Sequence, residues 1–460
     1  MTSLQRASFL VCAGWLVLFA TSFANMTSVF SLILYTLIFS VVWKSILKWP
    51  DIMQGLGVFV FYAALTLGLY EWQLVANPEY FGFSGGLGVG GDDSFFYSLA
   101  APHLPANFPV RDGYWLRSHH YADVLKLLSK GFQALRMEVH PLDFLFFNVL
   151  GLATVPFFAK KVTFLATRDT GAASFAFLTT LICPVLIANG LIMIREGWMA
   201  ACLIGAFYFA MKRHYFMLGC LLLGALYLRI EVGGLLLTSI IAYFSLIKRT
   251  DTRRPDGPVQ RWRSTSTILV IFGTIILLSI GFGALLGIEE IVTEAGSLVY
   301  RGDFLESFIG ATHSADRGGT FYRINQLPWF FSVPLGFLFF IGSPFFTLFG
   351  LTNNGEYIPR MLLGNVFAVM FICYFAFFVR GLMRVLTTSN AVMTVLALIF
   401  LVDVLILSQA SMQIRHKVAL MPLFYVIVSY GFVYRKSIPW SAGLVASITL
   451  IFVTVGVNVG

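Results

Sequence analysis

The chain has 460 residues, 58% of them hydrophobic and only 12% charged, with a formal net charge of +9. Ordinary soluble domains are about one quarter charged, so a soluble fold would need almost the whole sequence as its core and is excluded. The apolar residues fall in runs of about 15 to 25, each able to cross about 30 Å of hydrocarbon, which makes the chain a polytopic membrane protein by its pattern.

In chain order, the first run, 7–24, has only Arg6 before it and is soon followed by another. It reads as a retained span rather than a cleaved signal peptide. Further runs near 27–43, 55–71, 141–159, 171–190, 197–211, 214–228, 232–247, 265–287, 361–379, 389–408, 418–434 and 440–458 bring the expected total to about thirteen spans. Their basic flanks are Lys44 and Lys48, Lys160, Lys161 and Arg168, Lys212 and Arg213, the Lys248–Arg263 loop, Arg380 and Arg384, and Arg435 and Lys436. All of these fall on the cytoplasmic side if the amino terminus is inside. Counting 328–350 as a full span would reverse the last two pairs, so that segment is expected to re-enter, broken at Pro334 and at Gly342-Ser343-Pro344.

The predicted fold is therefore all-α, a polytopic transmembrane helical bundle forming one integral membrane domain over 1–460. It has a first outer loop at 72–140, a basic cytoplasmic loop at 248–264 and a second outer loop at 288–327. Within the first loop, Tyr121 to Leu135 is amphipathic, and either lies along the membrane surface or packs on the other loop. Among the acidic residues only Asp51, Asp169, Asp251 and Asp256 fall inside. The positive net charge thus comes from loop anchoring and gives no reason to expect a nucleic-acid partner. Cys12, Cys183, Cys202, Cys220 and Cys373 sit in apolar runs without paired spacing, and read as small hydrophobes.

Polar groups for which an apolar segment has no structural use converge on the outer face. Asp92 and Asp93 follow the glycine run 85–91, which lacks the strand of a dinucleotide loop and reads as a flexible holder for the two carboxylates. Arg195 with Glu196, and Arg229 with Glu231, each occupy a tight turn between apolar runs. Arg415-His416-Lys417 departs from the basic-inside pattern. Carboxylates beside several arginines suit a site that handles anionic groups such as phosphates. The plainer alternatives are an N-cap for one aspartate, turn-capping ion pairs for Arg195 and Arg229, and a cytoplasmic anchor for Arg415. Asp403, alone in an apolar run, is expected to pair with an arginine of a neighbouring helix.

The spacing of Asp93, Tyr97 and Ala100 in a long first outer loop, with His140-Pro141 ahead of a span, resembles the C-type membrane glycosyltransferases. Ile194-Arg195-Glu196-Gly197-Trp198 leading to Ala200 is similar to a segment of the O-antigen and exopolysaccharide polymerases. Arg415-His416-Lys417 ahead of Pro422 resembles a late element of both groups. The resemblance implies inverting transfer of a sugar from a polyprenyl phosphate or diphosphate carrier to a glycan or lipid-linked acceptor. The membrane would be the bacterial inner membrane, and the work would take place on its outer face. It implies Asp93, with Asp92 second, as the carboxylate that takes the acceptor proton. Tyr97, Arg195, Glu196, Arg229, Arg415, His416 and Lys417 would bind substrate, and membrane lipids would surround the site. A divalent metal ion is an open matter under this resemblance, because some members use one and others do not. The alternatives are a polymerase that joins lipid-linked repeat units and a lipid-linked glycan flippase.

Overall fold

The computed structural model describes residues 26–44, 49–76, 92–104, 119–135, 137–251, 329–342, 358–388, 390–410 and 417–433, with Gly14 and Ile448. The expected spans at 7–24, 265–287 and 440–458, and the second outer loop, lie outside these residues. Among the described residues there are helices and no strand. This is what apolar surroundings demand of a chain whose backbone groups must be satisfied within each segment.

The helices are α1 (Met26–Lys44), α2 (Trp49–Ala76), α3 (Asp92–Ala100), α4 (His119–Ala134), α5 (Pro141–Thr167), α6 (Thr170–Leu181) and α7 (Pro184–Gly190). They continue with α8 (Glu196–Lys212), α9 (Tyr215–Leu228), α10 (Ile230–Asp251), α11 (Trp329–Gly342), α12 (Ile358–Thr387), α13 (Ala391–Ala410) and, after a 3-10 turn at Val418–Leu420, α14 (Met421–Val433). Four helices, α2, α5, α12 and α13, are long and apolar enough to cross a membrane, and α6 with α7 makes a fifth if the bent pair is one span. The remaining apolar helices are shorter, so the expected thirteen full spans are not all represented by helices of spanning length among the described residues.

Two expectations are corrected. The 171–190 run is not one rod but two helices bent by 47°. Pro184 opens α7 and has no N–H to donate back into α6. The hydroxyl of Tyr62 donates to the exposed Leu181 carbonyl at 2.8 Å, which satisfies the break. In the expected re-entrant segment, Pro334 lies within α11 and does not break it. The 14 described residues of α11 rise about 21 Å, and the Gly342-Ser343-Pro344 step runs beyond them.

Helices α5 and α14 form the centre. Along α14 every residue from Met421 to Gly431 is buried, and α5 is buried around most of its circumference. A helix apolar on all sides belongs inside a bundle. The outer helices α1, α9 and α12 carry many of the exposed large hydrophobics, including Leu37 and Val41, Phe216 and Leu223, and Leu362 and Leu386. Helices α5 and α8 run parallel: Asn148 meets Ile192 and Ile194 just ahead of α8, and Phe158 meets Tyr208 and Phe209 farther along.

This arrangement gives the bundle two chemically different ends. At one end Lys161 pairs with Asp51 at 2.7 Å, Lys160 donates to Gln54, and Asn390 donates to the Ala166 carbonyl. Arg168 caps α5 and Arg213 caps α8 there, both with positive φ, close to 60°. The other end carries α3, α4, the start of α5 and the turns before α8 and after α9.

Candidate functional site

The site grows from the first turn of α5. His140 caps that helix, its Nδ1 accepting from the Leu142 amide, while the carboxylate of Asp143 accepts from the His140 amide at 2.8 Å. The reciprocal cap explains why the helix begins at Pro141. Burial pushes the His140 imidazole down to about 4, so it is neutral at pH 7.

Asp92 and Asp93 occupy the first two positions of α3, where amide groups and the helix dipole favour negative charge. One turn later Tyr97 is buried, with its ring edge-on to Phe144 of α5 at 6.0 Å. Its hydroxyl is pushed up to about 12, by burial first and by the Asp143 carboxylate second. Tyr97 therefore anchors α3 as a neutral group.

Next to it, Phe96 meets Tyr121 of α4 in an edge-to-face contact at 4.9 Å. The Tyr121 hydroxyl donates to Asn148 Oδ1 at 2.7 Å. Asn148 Nδ2 in turn donates to the carbonyls of Ile192 and Ile194 at 2.6 and 3.0 Å. One buried amide thus ties the helix that begins with the two aspartates, through α4, to the turn that carries Arg195.

That turn latches onto the next. Arg195 Nη1 donates to the Leu228 carbonyl, the last residue of α9, at 3.3 Å, which sets a cation at the negative end of that helix. Arg229 Nη1 lies 3.4 Å from Glu196 Oε1, at the start of α8, with both side chains largely buried. The two arginines cross between the two turns: Arg229 forms an ion pair, with Glu196 of the other turn, and Arg195 caps a helix end through a carbonyl. His120 of α4 stacks against Tyr227 of α9 at 4.8 Å and closes the group from the outside.

Tyr97, Arg195, Glu196 and Arg229 are therefore brought into one assembly with the backbone of Asp92 and Asp93. Arg415 and His416 lie outside the described residues. Lys417 is not on an outer ring of charge: it is buried, donates to the Ile341 carbonyl at 3.1 Å and sits 4.5 Å over the Phe367 ring. Asp403 is also corrected, since its hydrogen-bond partner is Ser239, whose hydroxyl lies 3.1 and 3.2 Å from the two carboxyl oxygens.

The amphipathic stretch is helical and packs inward through Tyr121, Ala122, Leu125 and Phe132, while Leu127 stays 71% exposed. Its buried face meets α3 of its own loop together with α9.

Sequence reasoning missed Asp143, Asn148 and Tyr121. The available signal was an acid and an amide in the first two turns of an apolar run, a costly placement unless each is used. Cys183, Cys202, Cys220 and Cys373 are free thiols. Among the described residues no three His, Cys, Asp or Glu side chains gather as a metal site. The chain matches no protein-family model and no curated protein sequence.

Proposed function

We propose that the protein is a membrane glycosyltransferase that takes a sugar from a polyprenyl phosphate or diphosphate carrier and passes it to a glycan or lipid-linked acceptor in cell-surface polysaccharide assembly. The observation that carries this reading is the Phe96, Tyr121 and Asn148 connection, which links the two-aspartate helix, through α4, to the turn that carries Arg195. Transfer needs a base for the acceptor hydroxyl and positive charge for the departing phosphate. Asp93, with Asp92 second, serves as the base. Arg195 and Arg229 supply the positive charge; the Leu228 carbonyl and Glu196 hold them in position, and the leaving group must share Arg229 with the Glu196 carboxylate. Joining of whole repeat units is the same chemistry on a larger acceptor.

The test uses purified protein in vesicles with a lipid-linked sugar and an acceptor. Asp93→Asn is expected to lower formation of the new glycosidic bond by at least about 100-fold, the usual size of a general-base contribution, with folding and insertion unchanged. Normal turnover by this variant would remove Asp93 from the mechanism. Lipid crossing the bilayer with no new glycosidic bond would make the protein a flippase.

A further inference from the structure

Beside the assembly just described, three buried polar atoms are left over, one of them the second carboxyl oxygen of the capping residue Asp143. On α5, Asp143, Phe147 and Gly151 are spaced by four and form one stripe along the helix. Tyr35 of α1 lies against Phe147, ring centroids 6.2 Å apart, within electrostatic reach of Asp143. Trp198 of α8 covers the rest of the stripe, 4.8 Å from Phe147. Its ring lies so flush on Gly151 that an added Cβ would meet Cδ2 at 2.6 Å.

Hydrogen bonding marks the stripe as a site. The Asp143 carboxylate accepts from the His140 amide and is hydrogen-bonded by Ser31, but Tyr35 Oη, Trp198 Nε1 and one carboxyl oxygen of Asp143, Oδ1, are buried and have no hydrogen-bond partner of their own among the described residues. Tyr35 and Asp143 are 1% and 0% exposed. Buried polar atoms in native proteins are nearly always paired, because leaving one unmet forfeits its hydration. Here a carboxylate acceptor, an indole donor and a hydroxyl able to do either all lie along one strip of aromatic surface, while Phe147 and Trp198 keep part of their rings open.

That combination selects a ligand. An anion would be repelled by Asp143, and a purely apolar group would leave three polar atoms unmet. A lone cation would answer Asp143 but face the indole N–H. A neutral ring with several hydroxyls and an apolar C–H face meets all of these requirements. We infer that the aromatic strip where α1, α5 and α8 meet is a binding subsite for a neutral pyranose ring, with Tyr35, Asp143 and Trp198 hydrogen-bonding its hydroxyls and the half-buried Phe147 stacking on its face. That this ring is a substrate sugar rests on the glycosyltransferase reading; the subsite itself rests on the geometry alone.

Full-length protein in lipid nanodiscs, free of sugar detergents, would be tested by saturation-transfer NMR. The probes are the methyl glycosides of glucose, galactose, mannose and N-acetylglucosamine. At least one is expected to give saturable transfer, weakened roughly three- to tenfold by Tyr35→Phe and again by Asp143→Asn, as for loss of a single hydrogen bond. Lys130→Ala, on the exposed side of α4, should leave the signal unchanged. Each variant is checked by its thermal midpoint, so that the second keeps the test alive if the first does not fold. No saturable signal from any of the four probes overturns the subsite. So does binding that neither folded variant weakens. If sugar transfer runs normally without pyranoside binding, the subsite fails and the transferase reading stands. If the pyranoside binds through these residues but no transfer is found, the subsite stands and the transferase reading fails.

Discussion

Asn148 makes three hydrogen bonds with one amide. Asn148→Leu keeps the volume and removes all three, leaving the Tyr121 hydroxyl and the Ile194 carbonyl unmet, while the Ile192 carbonyl keeps the Ile194 amide at 2.8 Å. At about 1–3 kcal/mol for each buried unsatisfied group, partly relieved by relaxation, the expected loss is about 2–4 kcal/mol. Tyr121→Phe removes only the first bond and should lose about 1 kcal/mol. Unfolding followed in mild detergent would show the order, and equal losses would mean that the carbonyl bonds to the Arg195 turn contribute nothing. In the sequence Asn148 and Asp143 are simply polar letters in an apolar run. The partners of Asn148 lie 44 and 46 residues away and are carbonyls, which have no letter of their own. That Arg195 and Arg229 sit at turns and are used there was legible, because charged residues at short turns between apolar runs have few other uses. Their partners were not, since the sequence suggests Glu196 and Glu231 within each turn and the structure crosses them to the Leu228 carbonyl and Glu196.

At the scale of elements, most helix positions were legible because apolar length and basic flanks are imposed by the surroundings rather than by tertiary detail. Run 197–211 became Glu196–Lys212, and run 232–247 became Ile230–Asp251. The bend at Cys183 was not legible, since Pro184 alone permits a kink or a stop and the Tyr62 bond to Leu181 decides between them. Packing between elements was also hidden, and glycine shows why. Where α12 crosses α14, a Cβ on Gly431 would collide with the Phe377 carbonyl, and one on Gly381 with that of Ile427. Small residues let two backbones approach this closely. Gly431→Val is expected to cost about 2–3 kcal/mol through forced separation of the pair, read as a lowered thermal midpoint. Gly219→Ala on α9, with open space around the new methyl, should be neutral or slightly stabilising. Equal effects at the two positions would contradict the close crossing.

For the molecule as a whole, the separation of chemistry between the two ends predicts a direction in the membrane. Lys160, Lys161, Arg168, Lys212 and Arg213 share one end, and basic residues are retained on the cytoplasmic side. With all five native cysteines replaced, a single cysteine at Arg213 should be labelled only from the cytoplasm. One at Lys130 should be labelled only from outside. The reverse pattern would put the aspartate helix in the cytoplasm and remove the outer-face substrate from the proposal.

The burial of α14 has a consequence in time. This helix packs against α5 and α6 in the centre of the bundle, yet Met421 follows Leu181 by about 240 residues. At a synthesis rate of 5–20 residues per second, the interior faces of α5 and α6 wait roughly 12 to 50 seconds for their partner. During that interval the earlier helices are an unfinished shell, closed only when α14 arrives.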